Sequence, residues 1–195
     1  MWRVVLYVTP LTTGLFVVAA AALTLVLALW RSHAPEAVRR TSRALGSAWL
    51  LLVLAATLLP TQPLGSGGMS VFLTPGEGLW GAEMSFVDAG ERHMILALQI
   101  ANAAMFVPLG ILASTSARQP SAPRTTLLCT ALSLCIELAQ LLMAAGRVVD
   151  VDDVIFNSAG ALLGAALVTL STRMTAAAKP SGRHAARQRP WPFRV

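Results

Sequence analysis

The stretch Ser133-Leu-Cys-Ile-Glu-Leu-Ala-Gln140, followed by Gly146-Arg147, Asp150-Val-Asp-Asp153 and Asn157-Ser-Ala-Gly160-Ala-Leu-Leu-Gly164, decides how this chain is read. It sets a carboxylate and an amide inside an apolar run, turns on a charged bend and re-enters apolar sequence through Asn157. Such groups are costly in hydrocarbon unless they pair with one another or face a wet cavity. At helical spacing Thr130, Ser133, Glu137, Gln140 and Ala144 fall on one narrow face. Asp150, Asp153, Asn157, Gly160 and Gly164 repeat the pattern on the returning segment. Two such stripes joined by a short bend are expected to face each other.

Working outward, the chain of 195 residues is 55% hydrophobic and only 12% charged, with a mean hydropathy of +0.65, too apolar for a soluble domain of this size. A helix crosses a bilayer with about 17–25 apolar residues. Stretches of that kind run at Leu11–Trp30, Ala44–Pro60, Met94–Ser114, Thr126–Ala145 and Val154–Leu170. The expected fold is therefore all-α, a polytopic transmembrane helix bundle with about five spans in the cell membrane. Arg3 ahead of an apolar run with Ala19–Ala22 raises a signal peptide as an alternative. The run is longer than the about 7–15 residues of a secretory core, and Arg31, Arg39, Arg40 and Arg43 follow it as a stop-transfer pattern. The first span is read as retained.

Basic residues favour the cytoplasmic side. Placing the N-terminus outside and the C-terminus in the cytoplasm puts 12 of the 15 Lys and Arg inside, leaving Arg3, Arg92 and Arg147 outside. Glu77, Glu83, Asp88, Glu91, Asp150, Asp152 and Asp153 then fall outside. The net charge of +6 reads as a topology signal, and no nucleic-acid partner is expected. Cys129 and Cys135, six residues apart in one span, lie on different helix faces and read as small buried hydrophobes.

The organisation expected is an extra N-terminal helix and basic cytoplasmic loop over 1–43, a membrane domain over 44–171, and a basic, disordered cytoplasmic tail over 172–195. The Gly- and Pro-containing segment 61–93 begins as loop. It is read either as interfacial, with Trp80 at the headgroups, or, over residues 65–90, as a lid on the polar mouth of the bundle. Pro108 inside the third span frees a carbonyl that needs a neighbouring donor. Gly110 is read with it as a packing position, and Gly160 and Gly164 form a small-xxx-small face for close helix approach.

Depth follows from the helical rise. Glu137 and Asn102 each lie roughly 12 Å below the outer ends of their spans, Gln140 roughly 8 Å and Asn157 roughly 5 Å. Glu137 is thus expected to meet Asn102, and Gln140 to meet Asn157 or Gln99, with Arg147, Asp150 and Asp153 above. The candidate ligand-binding set is Asn102, Glu137, Gln140, Arg147, Asp150, Asp153 and Asn157. Each has a plainer role. Glu137 can be a protonated residue joining helices, the amides can serve packing, and Arg147 can be an ion-pair partner of Asp150 or Asp153. Asp150 and Asp153 can cap the fifth helix, while Asp152, off the stripe, is expected in solvent.

His33, His93 and His184 lie at boundaries or in the tail, and no H-E-x-x-H, G-x-S-x-G or P-loop motif is present. No metal or cofactor is expected. Glu137 is the candidate catalytic acid/base, with Ser133 the one visible nucleophile.

Asn102, Phe106-Val-Pro-Leu-Gly110, Ser133 to Gln140, Arg147, Asp150, Asp153, Asn157 and Gly160–Gly164 together resemble the VanZ-like family of bacterial membrane proteins, over about residues 45–170. The resemblance implies that the polar positions named are characteristic of the family, and brings with it an association with low-level teicoplanin resistance. It implies no catalytic assignment. Two functions follow as expectations. The favoured one is a non-enzymatic protein whose outward polar pocket engages a lipid-linked, amphiphilic or lipoglycopeptide ligand among membrane lipids. The alternative is an intramembrane enzyme acting on an envelope lipid or its headgroup through Glu137. A small transporter ranks third, since no inverted repeat is visible.

Overall fold

In a computed structural model the chain is described over residues 10–60, 62–67, 70–77, 89–146 and 148–177. Among these are five helices: α1 (Pro10–His33), α2 (Pro35–Leu58), α3 (Ala89–Ser116), α4 (Ala122–Met143) and α5 (Val151–Ala177). All five are long and apolar enough to cross a membrane, so the chain is a multi-pass membrane protein of all-α class. Two three-residue strands, β1 (Ser70–Phe72) and β2 (Val148–Asp150), add a parallel pair.

The helices run further than the apolar blocks. Only Ala34 separates α1 from α2, so the basic loop expected at Arg31–Arg43 is instead two helix ends. Pro35 opens α2 at its first turn, where its missing N–H costs nothing. Arg39, Arg40 and Arg43 sit within that helix, since long basic chains are good helix formers and reach water from a helix end. Likewise α5 carries on to Ala177, into residues expected to be tail, while 178–195 lie outside the described residues.

The chain alternates direction, which gives the bundle two distinct ends. One holds β1, β2 and the N-termini of α1, α3 and α5 (the sheet end). The other holds Arg31 and the α3–α4 turn (the arginine end). α3 and α5 run parallel and form the central, most extensive packing. With lipid on the outside, apolar burial does little to hold transmembrane helices together, and close backbone approach does more. Here a Cβ at Gly160 would overlap the Ala103 carbonyl, one at Gly164 the Val107 carbonyl, and one at Gly110 the Ala161 carbonyl. Around this seam lie two buried clusters, Leu27, Val38, Ile111 and Val168 towards the arginine end, and Val53, Phe106, Ile136 and Ala161 nearer the sheet end. The large apolar residues left exposed, such as Leu127, Leu134, Leu138 and Leu142 on α4, are those a lipid-facing surface needs.

Pro108 lies inside α3 and frees the Ala104 carbonyl. The donor beside it is Trp49 of α2, whose Nε1 goes to the adjacent Met105 carbonyl at 2.9 Å.

At the arginine end, the Arg31 guanidinium donates to the carbonyls of Thr115 (3.1 Å), Ala117 (2.9 Å) and Arg118 (2.9 Å). These belong to the last turn of α3 and the residues after it, where carbonyls have no helical partner and a positive charge is favoured. Beside it Thr115 donates to Ser42 at 2.9 Å and Ser114 to Thr125 at 3.0 Å, all four residues buried.

Candidate functional site

The polar stripe of α4 turns inward. Ser133, Glu137 and Gln140 are all buried, and Thr130 is half-buried. Across from it α5 presents Asn157 and Ser158. Asn157 Nδ2 donates to Ser133 Oγ at 2.9 Å, and the hydroxyls of Thr130 and Ser158 lie 2.7 Å apart. Because α4 and α5 are antiparallel, these two pairs fix the register, and Glu137 comes one turn nearer the sheet end, at the level of Asp153.

The side chains pair differently from the expected set. Asn102 of α3, expected opposite Glu137, gives its Nδ2 to Asp153 Oδ1 at 2.7 Å. Gln99, one turn earlier, reaches the same carboxylate. Gln140 meets neither Asn157 nor Gln99. Its Nε2 donates to the Thr57 carbonyl at 3.0 Å. The reason is local: Thr57 lies in the last turn of α2, just before Pro60, so its carbonyl is short of a backbone donor and the buried amide supplies one. Arg147 lies outside the described residues, as does the stretch 78–88 with Trp80.

The largest departure concerns Asp152. Expected in solvent, it is 4% exposed, and both of its carboxylate oxygens accept from Gly76 N, at 2.9 and 3.0 Å. Beside it lies a strap, residues 62–67 and 70–77, laid across the α4–α5 bend. Its first half caps α4, with Gly65 N donating to Met143 O at 3.1 Å and Gly67 N to Ala144 O at 2.9 Å. Its middle pairs in parallel with β2, in register Ser70↔Val148, Val71↔Val149 and Phe72↔Asp150. Its end closes on the first turn of α5 through Asp152. A two-stranded sheet alone is marginal in water, and here the helix caps on either side supply what it lacks. Gly67 passes so close to Ala145 and Gly146 that any Cβ would overlap their backbone, and Gly146 itself holds φ 70. The described part of the segment read as loop, interfacial run or lid thus sits on the bend between the two stripes.

Asp150 caps α5: its Oδ1 accepts the Asp152 N–H at 2.9 Å. Burial pushes its carboxyl above the ordinary carboxylate range. The Asp152 backbone N–H pulls it down, and the charges of Asp152 and Glu77 push it up again. Among the described residues no group of three or more His, Cys, Asp or Glu is placed to hold a metal ion.

The sequence reading placed Asp152 in solvent, left out Ser158 and treated Gln99 only as a neighbour. The signal for Asp152 was nonlocal, a strap whose Gly76 N–H reaches its carboxylate. Ser158 adjoins Asn157, but the i, i+3 count passes over it.

A comparison with family profiles matches VanZ/LLP1 over residues 16–172. The chain belongs to the VanZ/LLP1 family. In this VanZ/LLP1 protein the matched region takes in most of α1, where the resemblance in the sequence began near residue 45, and it ends within α5. It therefore includes the strap and both stripes. Searches of curated proteins and of solved structures find no match for this VanZ/LLP1 chain.

Proposed function

We propose that this protein sits in the cell membrane with its sheet end outward and its arginine end in the cytoplasm. There its polar site engages a lipid-linked or amphiphilic ligand of the cell envelope, with low-level teicoplanin resistance as the family-level outcome. The observation that carries the reading is the buried polar face of α4: Ser133, Glu137 and Gln140 lie inside a membrane-spanning helix and are turned into the bundle. A carboxyl group kept in that setting, at a cost of about 2.5 kcal/mol or more in an apolar span, points to function before packing. The sorting of Lys and Arg supports the orientation. Arg147, beside the strap's landing point in sequence, is the residue assigned to an anionic group on the ligand.

Teicoplanin and vancomycin susceptibility in a sensitive Gram-positive host tests this, with wild type, Glu137→Gln and Arg147→Ala at matched membrane levels. Teicoplanin-selective protection that falls in Arg147→Ala and survives in Glu137→Gln is the expected result. Loss in Glu137→Gln alone would favour the enzyme reading, with Glu137 moving a proton on an envelope lipid. Absence of protection from wild type would remove the resistance role.

A further inference from the structure

The face shared by α3, α4 and α5 carries more hydrogen-bond acceptors than donors. Asp153 receives Asn102 Nδ2 and lies against Gln99. A carboxylate only accepts, so Gln99 turns its Nε2 towards it and its Oε1 away. That Oε1 has no partner among the described residues, although Gln99 is only 3% exposed. Asn157, at 4% exposed, spends its Nδ2 on Ser133, and its Oδ1 is likewise unpartnered among the described residues. Each such buried acceptor costs about 1–3 kcal/mol until something donates to it. Charge runs the same way among the described residues: the two partners of Asp153 are neutral amides, and the carboxyl groups of Asp150 and Asp152 stand nearby.

We infer that this face binds its ligand through a primary ammonium group, whose N–H donors go to Gln99 Oε1 and Asn157 Oδ1 and whose charge is met by Asp153. The inference rests on the amphiphile-binding reading above and narrows it to an amine-bearing lipid. A quaternary ammonium has no N–H to give and is normally held by aromatic faces, whereas the groups free here are amide oxygens. An anionic headgroup would meet acceptors and carboxylates. The position suits a headgroup, because Asp153 is in the first turn of α5, near the end of its span.

Native mass spectrometry of the purified full-length chain, released from micelles holding equimolar phosphatidylethanolamine and phosphatidylcholine, reads the choice directly. Wild type is expected to retain the ethanolamine lipid roughly tenfold over the choline lipid, the worth of one charge-assisted hydrogen bond. Gln99→Met and Asp153→Asn should each bring the ratio near one, and Arg31→Ala should leave it unchanged. Glycerophosphoethanolamine, which lacks acyl chains, is the competitor. Displacement would assign recognition to the amine headgroup alone, and persistence of the lipid would assign it to headgroup and chains together; either accompanies the ethanolamine preference. Equal retention of both lipids by wild type, or a preference untouched by both site variants, overturns the inference. Teicoplanin protection without lipid discrimination would sink this inference alone. Discrimination without protection would sink only the resistance role.

Discussion

The two ends of the bundle solve the same problem in opposite ways. At the arginine end most polar groups meet partners of matching kind: hydroxyl to hydroxyl at Ser42–Thr115 and Ser114–Thr125, and one guanidinium to three carbonyls, with a single hydroxyl, Thr126 Oγ1, buried without a partner among the described residues. At the sheet end carboxylates and amides are crowded together, two amide oxygens are left over, and a strap covers the bend. The first arrangement is what stability alone requires. The second keeps acceptors in reserve, and a fold that bears that cost has a use for them. Both ends hang from the α3–α5 seam, so the contrast can be broken by attacking the seam and sharpened by attacking each end.

The seam is expected to give the largest effect. Gly160→Leu forces a branched side chain into the Ala103 carbonyl, a misfit costing about 3 kcal/mol or more. Thermal unfolding in detergent should show a clear loss of stability, and a melt equal to wild type would mean that the helices do not need this approach.

Next come the ends, each with its own readout. Asp152→Ala removes the acceptor for Gly76 N and is expected to cost about 1.5–3 kcal/mol. The loss is local, seen as faster hydrogen exchange at residues 65–77. Arg31→Ala should cost about 1–2 kcal/mol by leaving the α3 carbonyls uncapped, with exchange in the strap unchanged. Equal effects of both substitutions on strap exchange would erase the distinction between the ends.

The smallest effect is a pH dependence. Asp150 has its carboxyl raised in the folded protein, chiefly by burial. A raised carboxyl binds its proton more tightly when folded, so its contribution is fully present below the ordinary carboxylate pKa. That contribution is lost as pH rises through the raised value. Asp150→Asn keeps a good helix cap and removes the titration. Its stability relative to wild type should therefore rise slightly between acid and neutral pH, and a falling difference would contradict the burial account.

What could be read in the sequence follows the same division. The spans were legible because each is a contiguous apolar block, and the inward turn of α4 followed from the i, i+3, i+7 spacing of Ser133, Glu137 and Gln140. The site's pairings were not legible. Depth counting put Glu137 level with Asn102 but could not tell that Asp153 would take that amide, because tilt and rotation of α3 against α5 are set by Gly160 and Gly164. The strands escaped notice for a similar reason. Three residues give no periodicity to read, and the partner of Val71 is Val149, beyond both α3 and α4 along the chain. Asp152 was misjudged because its hydrogen-bond partner, Gly76, lies on a strap that is far from it along the chain.

The strap also has a consequence for how the protein is made. Residues 62–77 leave the ribosome well before Met143 to Asp152, and the anchors described above, on Met143, Ala144, Val148–Asp150 and Asp152, lie in that later stretch. Until the final two spans are inserted the segment lacks these anchors, so this part of the sheet end is assembled last. A premature stop after α3 would yield three inserted helices with an open end, and a membrane quality-control protease could recognise such an unfinished chain by that undocked segment.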